Sequence, residues 1–180
     1  MFRDLRADEI ECRVAQAKKN GVSLLLYKDA RCDQNILDET VGAMNWERHH
    51  VRENANCVVS IWDKEKQQWV SKEDTGTESN TEKEKGLASD SFKRACFNWG
   101  IGRELYTAPF IWVKAQDCTA LEQDGPKWKC FDTFEVQKIV IENKRIVALA
   151  IKNTKSGKNC YIWQDPKWEA EQKKKNAGGA

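Results

Sequence analysis

The first stretch of the chain carries apolar residues at helical intervals. Within residues 7–20 they recur every three or four positions, and Gly21 follows as a helix stop. The residues with this spacing are Ile10, Val14 and Ala17. The pattern predicts an N-terminal helix.

The next segments alternate between strand and helix signals. The apolar run 22–27 (VSLLLY) has the length of a strand. A short helix is predicted from an N-cap at Asp33 to a stop at Gly42. Residues 56–62 and 67–72 flank a polar DKEK sequence, and this arrangement predicts a β-hairpin.

The middle of the chain combines a polar loop with a helix that carries two adjacent cations. Residues 72–86 have almost no apolar side chain and mix both signs of charge, which predicts a mobile loop. Residues 87–99 then place an apolar stripe at helical spacing, and two closely spaced glycines follow. Lys93 and Arg94 lie off this stripe, so the helix has a packing face and a cationic face. The stripe consists of Leu87, Ala88, Phe92, Ala95 and Trp99.

The last third of the chain predicts a meander. Residues 134–163 contain three apolar runs joined by polar turns, which is typical of three antiparallel strands. Residues 166–180 have little to bury and predict a disordered tail, which leaves residues 1–165 as one domain. The order of elements predicts an α+β fold, with a mainly antiparallel sheet packed on a central helix.

Composition places the chain among proteins of a reducing compartment. No apolar run has the length of a membrane span, and the N-terminal residues lack the apolar core of a signal peptide. The seven cysteines are scattered singly, without C-x-x-C spacing, so we expect reduced thiols, no metal site and a cytoplasmic location. His49 and His50 are adjacent, and a surface role is favoured for them. The net charge of +2 neither requires nor excludes nucleic acid.

One enzymatic pattern competes with a binding function. Asp132, followed by Glu142 and Lys144, is similar in spacing to the carboxylates and lysine with which some nucleases hold magnesium. However, Glu142 and Lys144 lie in a polar turn between two apolar strands, where such residues are needed anyway. Phosphate-binding loops, nucleophile elbows and dinucleotide fingerprints are absent from the sequence. We therefore expect no cofactor and no enzymatic turnover, with a magnesium-dependent nuclease as the alternative.

Cations interleaved with aromatic residues favour nucleic acid as the ligand. Lys85, Arg94 and Arg103 bracket the central helix and its glycine exit, and aromatic side chains run alongside. Proteins that bind single strands without reading sequence combine a cationic groove with stacking rings. The residue types alone thus allow a single-strand-binding module that protects DNA without pairing it.

Five short segments, in order, resemble the Rad fifty-two family of single-strand annealing proteins. The strongest is SDSFKRACFNWGIG (89–102), which is similar to a family helix with an aspartate, a lysine-arginine-alanine triplet, an aromatic residue and a glycine. The others are DEIECRVAQ (8–16), LLLYKDARC (24–32), ILDETVGAMNW (36–46) and KEDTG (72–76). The small size and the C-terminal meander are more similar to the phage-encoded recombination proteins. Phe97 departs from the eukaryotic pattern, which has an arginine there.

The resemblance implies a function and a site. Family members form rings whose outer groove, built from a sheet and a helix, holds single-stranded DNA by its backbone with the bases outward. By position, Lys93 and Arg94 would bind phosphates, Arg31 would be a third ligand, and Lys85 and Arg103 are further candidates. We expect a protein that anneals complementary strands in recombination and repair without ATP. Its expected partners are single-stranded DNA, other copies of itself, and a host single-strand-binding protein or phage exonuclease.

Overall fold

The computed structural model describes the backbone of residues 1–77 and 83–177, and their side chains except at 83–85 and 177. The strand pairs among these residues are antiparallel and are accompanied by three α-helices, so the predicted α+β class is confirmed. The strands are β1 (Glu11–Lys18), β2 (Gly21–Tyr27), β3 (Trp46–Val51), β4 (Asn56–Asp63), β5 (Gln68–Thr75), β6 (Ile111–Lys114), β7 (Leu121–Asp124), β8 (Lys127–Cys130), β9 (Phe134–Glu142), β10 (Arg145–Asn153) and β11 (Lys158–Gln164). The α-helices are α1 (Ala30–Val41), α2 (Lys83–Asn98) and α3 (Pro166–Ala177).

The chain divides into two compact units, where its length predicted one domain. The first unit contains Met1–Leu5 and Lys28–Arg103, and the second contains Arg6–Tyr27 and the chain from Glu104 onwards. The division arises because β1 and β2 join the sheet of the C-terminal strands, so residues 28–103 are inserted into that unit. Chain length cannot reveal such an insertion.

The first unit is a three-stranded sheet with α2 packed on one face. The strand order is β3-β4-β5, and β4 turns Cys57, Val59 and Ile61 towards the helix. These three side chains are buried, as are Phe92 and Ala95 of α2. The predicted hairpin and the predicted central helix are therefore confirmed. Alternation along β4 and helical spacing along α2 produce one shared apolar core.

The helix that was predicted to begin after an N-cap at Asp33 is α1, and it begins earlier in the chain. Asp29, four residues before Asp33, caps α1 by accepting hydrogen bonds from the backbone N–H groups of Arg31 (2.8 Å) and Cys32 (3.0 Å). Asp33 instead lies inside the helix, fully buried, and pairs with the ammonium of Lys28. The predicted end of the helix at Gly42 is confirmed.

The second unit contains a six-stranded sheet in the order β11-β10-β9-β1-β2-β6 and the small hairpin β7-β8. The predicted meander β9–β11 and the predicted strand β2 are confirmed. Asn143 and Lys144 join β9 to β10 with φ of 52° and 61°. Two consecutive left-handed residues are typical of a tight hairpin turn.

The predicted N-terminal helix is wrong, because this segment forms β1. Its half-buried side chains are Cys12, Val14 and Ala17. An irregularity in the pairing with β2 between Val14 and Gln16 adds one residue to the usual alternation. The interval from Val14 to Ala17 thereby becomes three, which is indistinguishable from helical spacing in the sequence.

The predicted disordered tail differs from the structure, which has α3 over Pro166–Ala177. The side chain of Asp165 accepts hydrogen bonds from the backbone of Lys167 (2.9 Å) and Trp168 (3.3 Å), and proline occupies the first helical position. An aspartate N-cap followed by proline is a standard helix start. The indole of Trp168 also donates a 2.7 Å hydrogen bond to Glu142.

The two glycines after α2 have different surroundings, and this predicts unequal costs of substitution. Gly100 has φ of 94° and open space where a Cβ would lie, whereas at Gly102 (φ 75°) a Cβ would lie 2.3 Å from Cε of Lys28. Gly100→Ala is expected to cost about 1–2 kcal/mol through its left-handed backbone alone. Gly102→Ala should cost more, because it also displaces Lys28 from Asp33. Urea denaturation of both variants measures this, and equal losses would contradict it.

Candidate nucleic-acid interface

The helix α2 carries Lys93 and Arg94 outside its buried face, one on each flank. Phe92 and Ala95, the neighbours of this pair in sequence, are fully buried, whereas Lys93 and Arg94 are half-buried. The buried face is formed by Ser91 and Phe92 on one side of the pair and by Ala95 and Cys96 on the other, so the rotation of about 100° per residue turns the two residues between them away from it. Packing of the stripe therefore fixes the direction of both cations.

Lys93 lies on the flank of α2 that faces α1. Within the described part of the chain, its ammonium has no hydrogen bond or ion pair. Burial raises the pKa of Asp33 to about 6, and the charges of Lys28 and then Lys93 oppose this rise. Lys93 is thus close enough to act on Asp33 while its own charge is not neutralised by a contact.

Arg94 lies on the opposite flank, beside β5. Its Nε is 3.5 Å from Oδ1 of Asp74, and the two side chains are 43% and 28% exposed. The Nε makes no hydrogen bond. A half-exposed pair without a hydrogen bond is weak. A phosphate oxygen can therefore compete with Asp74 for this guanidinium.

The side chain of Arg103 donates hydrogen bonds to backbone carbonyls at the C-terminal end of α2. Its Nε donates to the carbonyl of Phe97 and its Nη2 to the carbonyl of Asn98, both at 2.8 Å. The Nζ of Lys72 donates to the same Asn98 carbonyl at 2.9 Å. Both cations thus satisfy C-terminal carbonyls of the helix and complement its dipole. Lys72 and Arg103 are brought together with the α2–β5 flank that carries Arg94.

Two cations of the sheet were missed by the sequence analysis. Arg48 and Lys72 are the cross-strand neighbours of Val59 on either side of β4, so both share the helix-covered face. The guanidinium of Arg48 lies 4.8 Å from the ring centre of Phe92, and the ammonium of Lys72 lies 4.6 Å from that of Trp99. The alternation of side chains along the strands could have indicated that Arg48 and Lys72 share a face with Val59. This inference requires the register of β3, β4 and β5, which the sequence does not contain.

Arg31 and Lys85 are the remaining predicted phosphate ligands. Arg31 is the second residue of α1, its side chain is 86% exposed, and it pairs with Asp29 at 2.9 Å. No contact joins it to Lys93 or Arg94 in the described residues. Lys85 belongs to the first turn of α2, but its side chain lies outside the described residues.

The predicted nuclease residues are far apart. Asp132 precedes β9 and Glu142 ends it, and the nine residues of this strand span about 30 Å. Asp132 is buried and accepts hydrogen bonds from the backbone of Thr119 (2.7 Å) and Ala120 (3.1 Å). Glu142 binds the Trp168 indole. Asp132 and Glu142 cannot share one magnesium ion in this fold.

Comparisons with known proteins do not assign the chain to a family, so its function must be inferred from the site. No protein-family model matches the chain, and searches of curated proteins and of solved structures find no significant match. Among the described residues, no helix combines the length and apolar character that crossing a membrane requires.

Proposed function

We propose that the chain binds single-stranded DNA and promotes the pairing of complementary strands, in recombination or repair and without ATP. The observation that carries this proposal is the position of Lys93 and Arg94 on the packed helix α2, outside its buried face, where Arg94 is held only by a weak pair with Asp74. Arg48 and Lys72 add positive charge on the sheet at either side of the same helix. The resemblance of residues 89–102 to annealing proteins points to the same cations.

The proposed mechanism needs only phosphate binding. Two DNA strands repel each other, and cations that neutralise one backbone while leaving base edges free lower the barrier to pairing. A rigid helix holds such cations at fixed spacing, and duplex formation supplies the driving force. Lys93 is the stronger ligand in this proposal, because Arg94 must first leave Asp74.

We also propose a ring or helical assembly of many copies in the cytoplasm. In the described residues, β3 and β5 each pair with β4 only, so the sheet of the first unit has two open edges. Open edges favour pairing with another chain. All seven cysteines are free thiols, which is consistent with a reducing compartment. A stable monomer in light scattering, with and without DNA, would contradict the assembly.

Binding through phosphates predicts a strong salt dependence and little sequence preference. The logarithm of the affinity should fall linearly with the logarithm of salt concentration, by about 0.7 per phosphate contact on single strands. Oligonucleotides of equal length and mixed sequence should bind alike at one salt concentration. Fluorescence anisotropy titrations measure both quantities. A strong preference for one motif at equal salt would mean that base edges are read.

A further inference from the structure

Three metal-ligating side chains meet at the base of the β7–β8 hairpin in the second unit. Cys118 precedes β7, Cys130 is the last residue of β8, and Asp132 follows two residues later. One ligand atom from each lies within 4.8 Å of the others. Cys118 and Cys130 are half-buried, and Asp132 is buried. The hairpin closes the long gap between the two cysteines, which is why their spacing in the sequence gives no metal motif.

The carboxylate of Asp132 is held in place by its neighbours. It accepts hydrogen bonds from the backbone N–H groups of Thr119 and Ala120 and from the hydroxyl of Thr119. Such outer contacts orient metal ligands and keep a carboxylate ionised. Thr119 and Ala120, which directly follow Cys118, thus hold the carboxylate of Asp132 in position.

The distances fit a tetrahedral ion. With a metal–sulfur bond of about 2.3 Å and a metal–oxygen bond of about 2.1 Å, ligand sulfur and oxygen atoms are about 3.6 Å apart. Sγ of Cys130 lies 3.6 Å from Oδ2 of Asp132. Tetrahedral geometry places two sulfurs about 3.8 Å apart, and the three ligand atoms of this cluster all lie within 4.8 Å of one another. We propose that Cys118, Cys130 and Asp132 bind one zinc ion.

Two thiolates and one carboxylate select the metal. Soft sulfur ligands and tetrahedral geometry favour zinc over magnesium or calcium, which prefer oxygen ligands. Binding releases one proton from each of the two thiols, and the zinc with its three anionic ligands carries a net charge of −1. A water molecule completes the fourth position.

The thiols are poorly suited to act as nucleophiles. Burial raises the pKa of Cys118 to about 12, and the neighbouring Cys130 and Asp132 contribute to this rise. A raised thiol pKa disfavours the thiolate, which is the nucleophilic form.

The ion would stabilise a hairpin that has little support of its own. The strands β7 and β8 have four residues each, and an isolated two-stranded hairpin is marginally stable in water. Metal bound at its base joins the start of β7, the end of β8 and the entry to β9. The site is independent of the proposed DNA-binding residues, which lie in the first unit.

Cobalt titration of the reduced, chelator-treated full chain tests the site. We expect one cobalt per chain, with a thiolate-to-cobalt charge-transfer absorption and the visible bands of a tetrahedral ion, both lost on adding zinc. Zinc binding should release two protons and raise the melting temperature. Cys118→Ser and Cys130→Ser should each weaken binding by more than the roughly 10–100-fold that loss of an outer contact costs.

A matched control is Cys12→Ser, which changes another half-buried cysteine of the second unit outside the cluster. This variant should bind cobalt like the natural chain, and circular dichroism should show that all three variants are folded. The proposal is overturned if the natural chain gives no charge-transfer band under reducing conditions. It is equally overturned if the folded Cys118→Ser variant binds with unchanged affinity.

Discussion

Lys28→Met is expected to destabilise the first unit by about 3–5 kcal/mol at neutral pH, because it leaves the Asp33 carboxylate buried without its cation. Lys28 is 6% exposed and Asp33 is fully buried, so water cannot replace the lost partner. Methionine retains most of the side-chain volume, which separates the lost charge from a cavity. Urea denaturation followed by circular dichroism measures the change.

The loss should depend on pH. Burial already raises the pKa of Asp33 from 3.8 to about 6 in the folded chain, and removal of Lys28 raises it further. A folded-state pKa above the unfolded value means that stability falls as pH rises between the two values. The natural chain stops losing stability through Asp33 near pH 6, whereas the variant, with a higher pKa of Asp33, continues to lose it above pH 6. The deficit of the variant should therefore grow as pH rises above about 6 and be small below it.

The double variant Lys28→Met with Asp33→Leu is the control, since it removes both charges. Replacing a buried ion pair by apolar residues is often neutral or stabilising, so most of the lost stability should return. A Lys28→Met variant as stable as the natural chain, or a deficit that does not change with pH, would contradict the buried pair.

Replacing Lys93 and Arg94 together by alanine is expected to weaken single-strand binding by about 10–100-fold near 0.1 M salt, and to leave the fold intact. The packed residues Phe92 and Ala95 remain, and alanine is a strong helix former. The slope of the logarithm of affinity against the logarithm of salt concentration should become shallower by about 0.7 for each lost contact. Lys93→Ala alone should account for more of the loss than Arg94→Ala, because Arg94 is paired with Asp74.

Lys174→Ala with Lys175→Ala is the matched control, because it removes two adjacent exposed cations from the helix α3. Both double variants change the net charge equally, so an equal effect on binding would mean that only total charge matters. Unfolding of the Lys93 and Arg94 variant would show that the two cations are structural, and the site assignment would then fail.

Strong periodicity made part of the fold predictable. The hairpin β4–β5, the helix α2 and the meander β9–β11 carry apolar patterns that agree with their packing. The strand β1 was missed because its irregularity reproduces helical spacing, and β3 was missed because Trp46, Arg48 and His50 hide its inward face among polar residues. Single-sequence patterns do not contain the pairing that gives these segments their structure.

The candidate site was predictable only where one element determines it. Lys93 and Arg94 stand out because they are adjacent cations beside the apolar stripe of one helix. Arg48 and Lys72 can be recognised as neighbours only because both pair with Val59. The ion pair of Lys28 with Asp33 depends on the burial of both side chains, which no local sequence pattern predicts. Residues supplied by different strands require the register before they form a site.

Annealing of complementary oligonucleotides tests the proposed function most directly. With a chelator present and no nucleotide, the natural chain should accelerate duplex formation, and the Lys93 and Arg94 double variant should lose most of this acceleration while remaining folded. Strands that are bound but kept apart would mean a passive single-strand-binding module. Cleavage that appears only with magnesium would mean a nuclease, and either result would contradict the proposed annealing function.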